Sequence, residues 1–251
     1  MSIDWAVELA ENPNTYTPLG PNTERIVHDR YVLWMGRMDT WNVAQRFAMR
    51  DDEIDEVIEE IRATLRERGR PSCAWEIGSH ATPADLPEQL LARGFTDDAH
   101  TPLAIGMALT EEPGAAPDGV EVKIVETDEE YWESERIAQI SFGEDVPAER
   151  KPYVPSAANP IYIALIDGQI VARASAAHGE HGVTLFGGAT LPDARGRGAY
   201  RALVAARWRD AAERGTPLVV TQAGEMSRPI LARLGFHEVG TVRALNDKFG
   251  V

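Results

Sequence analysis

Arg195, Arg197 and Arg201 crowd into one short stretch of a chain whose formal net charge is −15. Gly196 and Gly198 lie among them, and Pro192 ends the apolar run that precedes them. Residues of these types in this pattern suit an anion. Glycine lets the backbone come close to a ligand, and the first N–H groups of a following helix have no partner inside it, so they point outward at the positive end of the helix dipole. Three guanidiniums add full charges nearby. A pyrophosphate would satisfy such a loop, and so, from the loop alone, would an arginine-rich surface turn opening a helix with no ligand at all.

The elements that position the loop follow from periodicity and turn residues. Residues 120–125 alternate apolar and polar as a strand, and Thr127 with Glu130 forms the Thr-x-x-Glu start of a capped helix that should run to about Ser141. Asp167-Gly168 between the apolar runs 161–166 and 169–174 is a hairpin signal, and residues 178–182 make a second turn. The strand over 183–191 contains Gly187-Gly188, which suggests a bulge. A helix over about 198–214 places Tyr200, Leu203, Val204, Trp208, Ala211 and Ala212 on one face and stops at Gly215. A strand (217–223), a short helix (227–234) and a last strand (235–242) complete the pattern.

In this setting Arg195-x-x-Gly198-x-Tyr200 resembles the Gln/Arg-x-x-Gly-x-Gly/Ala signature of the GNAT (GCN5-related) N-acetyltransferase family, and it follows the strand ending Thr190-Leu191-Pro192. Residues 227–234 leading into Gly235-Phe236 are similar to the family's second motif, and the resemblance covers residues 120–245. It implies an α/β (α+β) tandem GNAT-like acyl-CoA N-acyltransferase fold, a mixed, mostly antiparallel central sheet flanked by helices. It also implies acetyl-CoA as donor. Ala189, Thr190 and Leu191 would bond the pantetheine arm through their backbone, and Arg195, Gly196, Arg197, Gly198, Ala199, Tyr200 and Arg201 would wrap the pyrophosphate. Ser227 stands where the family often has a cofactor-touching Asn, although a plain N-cap explains it as well. The implied activity is acetyl transfer to a primary amine of a small molecule or protein; the alternative is a non-catalytic acyl-CoA-binding sensor or regulatory module.

Two positions depart from the family pattern. Tyr200 stands where Gly or Ala is usual, which a side chain turned outward would accommodate. Leu231 stands where many members carry a Tyr that protonates the departing thiolate, so neither a general acid nor any other catalytic side chain is assigned. Base candidates are His178, Glu180 and His181 in the turn before the 183–191 strand, and Glu144 and Asp145 after the first helix; each reads more readily as a solvated surface group than as a base. Direct attack within a ternary complex would need mainly positioning.

Sliding the chain on itself by about 146 residues brings Glu67-Arg68-Gly69-Arg70-Pro71 onto Glu213-Arg214-Gly215-Thr216-Pro217, and Gly78 onto Gly224. With an offset, Leu90-Leu91-Ala92-Arg93-Gly94-Phe95 matches residues 230–236. Two domains are therefore expected, a degenerate GNAT-like one over 1–112 and an acetyltransferase one over 119–251, with the Pro/Gly-rich stretch 111–119 between them. In the first copy the positions matching the basic loop read Met49-Arg50-Asp51-Asp52-Glu53-Ile54-Asp55, acidic and without glycine. Such a loop repels pyrophosphate and suits a helix N-terminus.

Composition narrows the rest. The net charge opposes nucleic-acid binding and allows a cationic acceptor. No apolar run approaches the roughly 18 residues of a membrane span. A single cysteine, Cys73, in an apolar run excludes a Cys-based zinc cluster and an internal disulfide, and reads as a small core residue. No metal site is expected. Neither Gly-x-Gly-x-x-Gly after an early strand nor a Gly-Lys-Ser/Thr loop occurs. A cytoplasmic monomer or homodimer without a membrane partner is the expectation.

Overall fold

The computed structural model describes residues 3–143, 150 and 152–250. In chain order its first half contains α1 (Trp5–Glu11), α2 (Pro13–Tyr16), β1 (Glu24–Val27), β2 (Val32–Met35), β3 (Asn42–Gln45), α3 (Ile54–Arg66), β4 (Ser72–Gly78), α4 (Leu86–Ala92), β5 (Thr96–Asp97) and β6 (Leu103–Leu109). The second half continues with β7 (Val120–Ile124), α5 (Asp128–Phe142), β8 (Ile161–Ile166), β9 (Gln169–His178), β10 (Val183–Thr190), α6 (Ala199–Glu213), β11 (Val219–Ala223), α7 (Arg228–Arg233) and β12 (His237–Lys248). The chain forms two compact units. One contains Met1–Ala108, Gln222–Leu231 and His237–Val251, the other Leu109–Thr221 and Ala232–Phe236. The linear division read in the sequence thus gives way to an interleaved one, in which the last strand groups with the first half.

In the first unit β1, β2 and β3 form an antiparallel meander, α3 crosses over, and β4 returns parallel to β3 through Val43↔Ala74 and Ala44↔Trp75. α3 is built on Ile54, Val57, Ile58, Ile61 and Leu65, a helical stripe that is fully buried around Trp75, Phe47 and Phe95. Phe47 stacks on the indole at 4.7 Å and Phe95 meets it edge-on at 5.2 Å. Cys73 is buried in this core, and desolvation pushes its thiol up. β12 runs past the end expected at residue 242 because β4 lies antiparallel beside it from Val242↔Gly78 to Lys248↔Ser72; β6 pairs on its other side. Asp247 near the end of β12 is buried and receives a two-pronged bond from Arg62 on α3, both arms 2.8 Å.

The second unit repeats the plan. β7, β8, β9 and β10 are successively antiparallel, α6 crosses over, and β11 returns parallel to β10. Asp167 and Gly168 both adopt positive φ (52° and 75°), as the two-residue hairpin between β8 and β9 requires. The capping box at α5 is present in full: Thr127 Oγ1 accepts from the Glu130 amide at 3.2 Å, while Glu130 Oε2 accepts from the Thr127 amide at 3.4 Å. Arg173 on β9 reaches Glu135 on α5, whereas His178, of opposite parity on the same strand, reaches Asp210 on α6. Alternation along the strand therefore puts α5 and α6 on opposite faces of the sheet.

At the far end of α6, Asp210 gathers several partners. His178 Nε2 lies 3.2 Å from Asp210 Oδ2, the Tyr162 hydroxyl donates to the same oxygen, and Arg214 Nε donates to Oδ1 at 2.7 Å. Burial, and then the Arg214 guanidinium, hold His178 below the ordinary imidazole range, with Asp210 opposing them.

Two measurements check these local assignments. Thr127→Ala should lower unfolding free energy by about 1 kcal/mol in urea melts, the usual worth of a helix cap. Because the folded His178 imidazole binds its proton less readily than an unfolded one, its contribution is full above about pH 6.5 and is lost as pH falls below it. His178→Gln should flatten the dependence of stability on pH between about 6.5 and 5, where one such proton contributes at most about 1.4 kcal/mol per pH unit.

Candidate coenzyme-binding loop

The local plan of the loop is set by the way β10 ends. β10 pairs with β11 only through Val183↔Val219 and Thr184↔Val220, with Thr221 Oγ1 reaching the Leu185 carbonyl at 3.1 Å. From there to Thr190 the parallel register is not continued. Within the same stretch the pairing with β9 slips between Phe186 and Ala189, at Gly187 (φ 54°), and both Gly187 and Gly188 are exposed. The bulge inferred from Gly187-Gly188 is present. Past it, the Leu191 amide donates to Val171 across the β9 edge at 2.9 Å. Successive residues of a strand turn their amide and carbonyl to opposite edges, so Thr190 offers its own to the open edge, where its carbonyl accepts from Arg195 Nε at 3.4 Å. Of Ala189, Thr190 and Leu191, Thr190 thus has the backbone orientation that a ligand along this edge needs.

A short turn at Pro192–Ala194 leads into the loop, where Gly196 and Gly198 have φ of 78° and 88°, separated by Arg197. This alternation turns consecutive N–H groups into one concavity, as anion-binding nests do. Gly198 is the N-cap of α6 and has no side chain to close the helix end. The first amide of α6 with an intrahelical acceptor is that of Ala202, which donates to the Gly198 carbonyl at 3.0 Å. The amides of Ala199, Tyr200 and Arg201 precede it and have no helical acceptor. A Cβ at Gly198 would overlap the Pro117 ring from the 111–119 stretch, so glycine is required there by packing and by φ together.

The charges around this nest are unevenly paired. Arg197 Nη2 meets Asp167 Oδ2 at 3.1 Å, an exposed pair that contributes little. Arg201 backs onto Gly114, and neither Arg195 nor Arg201 has a carboxylate in ion-pair range among the described residues. Positive charge, open amides and exposed glycine backbone converge here, in a protein whose other surface arginines are widely paired with acids.

Tyr200 is accommodated in the signature by packing on the strand and not by turning outward. Its ring lies against the exposed backbone of β10, where a Cβ at Gly188 would sit 2.7 Å from Cε2. The missing side chain of Gly188 makes room for the phenol. Beneath it, Arg207 occupies a fully buried position on α6 in line with Leu203 and Ala211, which the apolar reading of that helix face had passed over. An arginine interrupting an i, i+4, i+8 apolar stripe was the available signal. Arg173 and Glu135, paired at 3.3 Å beside Gly187 on the α5 face, were also missed. They come from separate elements and have no common spacing to betray them.

Other sequence candidates lie elsewhere. His178, Glu180 and His181 stand at the start of β10, about 13 Å along the strand from Gly187 at the usual rise per residue. Glu144 and Asp145 fall outside the described residues. Ser227 belongs to the other compact unit, where its carbonyl accepts from the Ile230 and Leu231 amides at 3.0 and 2.9 Å, as an N-cap carbonyl does, and its hydroxyl donates to the Gly224 carbonyl at 3.3 Å. Leu231 is buried. In the first unit, the loop matching 195–201 ties up its acids within the protein: Glu53 accepts from the Arg50 amide at 2.8 Å, closing the turn that leads into α3, Asp52 meets Arg50 Nε at 3.0 Å, and Arg93 holds Asp55 at 2.6 Å. No group of His, Cys, Asp and Glu suited to a metal occurs among the described residues, and no described helix is long and apolar enough to cross a membrane.

No protein-family model and no curated protein matches the sequence. Solved structures do match the fold. A GCN5-related N-acetyltransferase from Kribbella flavida is 22% identical, with 99% of this chain and 98% of that one covered at a TM-score of 0.73. A functionally unknown conserved protein from Staphylococcus epidermidis ATCC 12228 is 12% identical over 92% and 95% of the two chains, with a TM-score of 0.63. A tandem GNAT protein from the clavulanic acid biosynthesis pathway is 13% identical over 98% of this chain and 94% of its own, with a TM-score of 0.60. With its two β–α–β repeats and mostly antiparallel pairing, the chain has the GCN5-related N-acetyltransferase fold, and it matches a tandem representative along nearly its whole length.

Proposed function

We propose that this protein is an acetyl-CoA-dependent N-acetyltransferase whose donor lies along the open edge of β10 and whose acceptor is a primary amine of a small molecule or protein. The observation that carries the proposal is the anion nest: left-handed Gly196 and Gly198, uncapped α6 amides, and Arg195 and Arg201 without carboxylate partners. Pyrophosphate fits that donor set in charge and in hydrogen-bond direction. The pantetheine arm would follow the β10 edge as an added strand, bonded to Thr190, and bring the thioester toward the Gly187-Gly188 bulge. Acetyl transfer then asks for a neutral amine held against the thioester carbonyl, with a backbone N–H to take up charge on its oxygen. The strongly acidic composition favours an amine that is cationic in solution.

A second reading has its own support. Leu231 is apolar and buried at the position of the usual proton donor, as befits a sensor that binds an acyl-CoA without turning it over. Thiol release from acetyl-CoA in the presence of a panel of primary amines separates the two, with release on at least one amine expected and binding without release on any favouring the sensor.

For the site itself, the double variant Arg195→Glu/Arg201→Glu should weaken coenzyme A binding about a hundredfold or more in calorimetry, since charge-assisted hydrogen bonds are each worth about 1.5–3 kcal/mol. Both side chains are at the surface, so the melting temperature should change little. Unchanged affinity would place the coenzyme elsewhere.

A further inference from the structure

The two glycines of the β10 bulge open opposite faces of the sheet. A Cβ at Gly188 would meet the Tyr200 ring of α6, whereas one at Gly187 would lie 3.0 Å from Arg173 Nη1 and 3.8 Å from Ser175 Oγ, both on the α5 face. The anion nest belongs to α6, so a donor laid into it comes to the bulge from that side. An acceptor has to reach the thioester carbon from the side the donor leaves open, which is the α5 face at Gly187. There it meets two charges. Arg173 turns Nη1 to the exposed Gly187 backbone and Nη2 to Glu135 Oε1 at 3.3 Å, and the two side chains are 11% and 17% exposed. Stability gives little reason for this pair, because apolar residues of similar volume join a helix to a sheet at least as well as a buried ion pair does. Beside it, Ile163 lies cross-strand from Arg173, and Tyr131, one turn before Glu135 on α5, shares a buried cluster with Ile163 while its ring stacks on Tyr153 at 4.7 Å. The α5 side of the bulge therefore presents a cation, an anion and an aromatic wall side by side.

We propose that the acceptor is a free α-amino acid, its carboxylate taken by Arg173 and its ammonium drawn to Glu135, with its side chain against Tyr131 and Tyr153. The inference rests on the acetyl-CoA reading above and narrows its primary amine to this class. Opposite charges held 3.3 Å apart are matched by a ligand whose own opposite charges are as close, and in an α-amino acid a single carbon separates them. The planar guanidinium fork suits a carboxylate in particular, which it can receive by two parallel N–H bonds. A zwitterion also joins a partly buried ion pair without leaving net charge there, which neither a simple amine nor a simple acid does. In the reaction the ammonium first gives one proton to solvent. Its nitrogen then bonds to the thioester carbon, and the C–S bond breaks with its electron pair going to sulfur. The nitrogen gives a second proton to solvent and sulfur takes one up, so the products are the N-acetyl amino acid and the free thiol. Arg173 and Glu135 determine specificity in this scheme: they select and orient the amine, and no proton passes through them.

The experiment compares the common L-amino acids with their α-amides, which keep the amine and lose the carboxylate. Thiol release from acetyl-CoA gives kcat/KM for each compound. The amine of an α-amide is less basic and more of it is neutral, so without recognition of the carboxylate the amide is the better acceptor. In wild type at least one amino acid should exceed its amide by about tenfold or more, the worth of a charge-assisted hydrogen bond. Arg173→Gln/Glu135→Gln removes both charges together, so neither is left buried alone, and should bring that ratio to one or below, while Arg173→Lys should keep part of it. Coenzyme A binding by calorimetry reports that each variant is folded. A merely structural pair would move both activities alike. Amides at least as good as every amino acid in wild type, an unchanged ratio or equal loss of both activities in the double variant, or binding of coenzyme A with no release on any amino acid overturns the proposal and leaves the coenzyme site standing. Failure of wild type to bind coenzyme A overturns the coenzyme reading, and this inference with it.

Discussion

A parallel strand pair that is held for two residues and then let go is the constraint on which the rest of the second unit depends. Backbone amides and carbonyls left without a ladder partner must find another acceptor or donor, and along β10 past Thr184 that demand is built into the middle of a sheet. The Gly187-Gly188 bulge makes the divergence feasible by shifting the β9 register without bulky side chains in the way. α6 follows from the same divergence. A crossover that starts at the free end of β10 delivers its uncapped N-terminus to the place where the strand edge is open, and the left-handed glycines at 196 and 198 turn the chain sharply enough to do so. Pro117 then leaves room at position 198 for nothing larger than hydrogen.

Charge is distributed to the same end. The chain is strongly acidic, and many of its arginines sit in pairs such as Arg62 with Asp247 or Arg30 with Glu60. Among the described residues, Arg195 and Arg201 of the basic loop and Arg207 inside α6 stand without that compensation, as do Arg25 and Arg70, which donate to backbone carbonyls instead. In the first unit the matching loop places its acids at the same kind of helix start, where the Glu53 carboxylate accepts from the Arg50 amide within the protein. The two copies thus open their crossover helices with loops of opposite charge. The first loop is acidic and self-paired, and the second is the basic one to which we assign the coenzyme.

Much of this was legible in the sequence because local chemistry and the fold agree. Thr127-x-x-Glu130, Asp167-Gly168, Gly187-Gly188 and Gly215 each demand a particular backbone geometry, and each has it. The position of the basic loop followed from those elements in order, and the fold class from the family resemblance carried by the motifs on them. What was not legible depends on contacts distant in sequence. β12 continues to Lys248 because β4 lies beside it, and nothing in residues 243–248 alone distinguishes a strand from a tail. The interleaved division of the chain has the same origin. The signature describes backbone and is silent on where the Tyr200 ring would go; Gly188 decides that, from another element. Arg207 was hidden by treating an arginine as a surface residue, although its spacing with Leu203 and Ala211 placed it inside.

The claim that most needs direct measurement is that the second copy's loop, and not the first copy's, is the coenzyme site. Hydrogen–deuterium exchange with and without coenzyme A resolves the two in one experiment, because the two loops open separate helices far apart in sequence. Protection on adding coenzyme A should concentrate in residues 188–202, strongest at the amides of Gly198, Ala199, Tyr200 and Arg201, with residues 49–55 unchanged. Protection at 49–55 with none at 196–201, or none at either, would contradict the account.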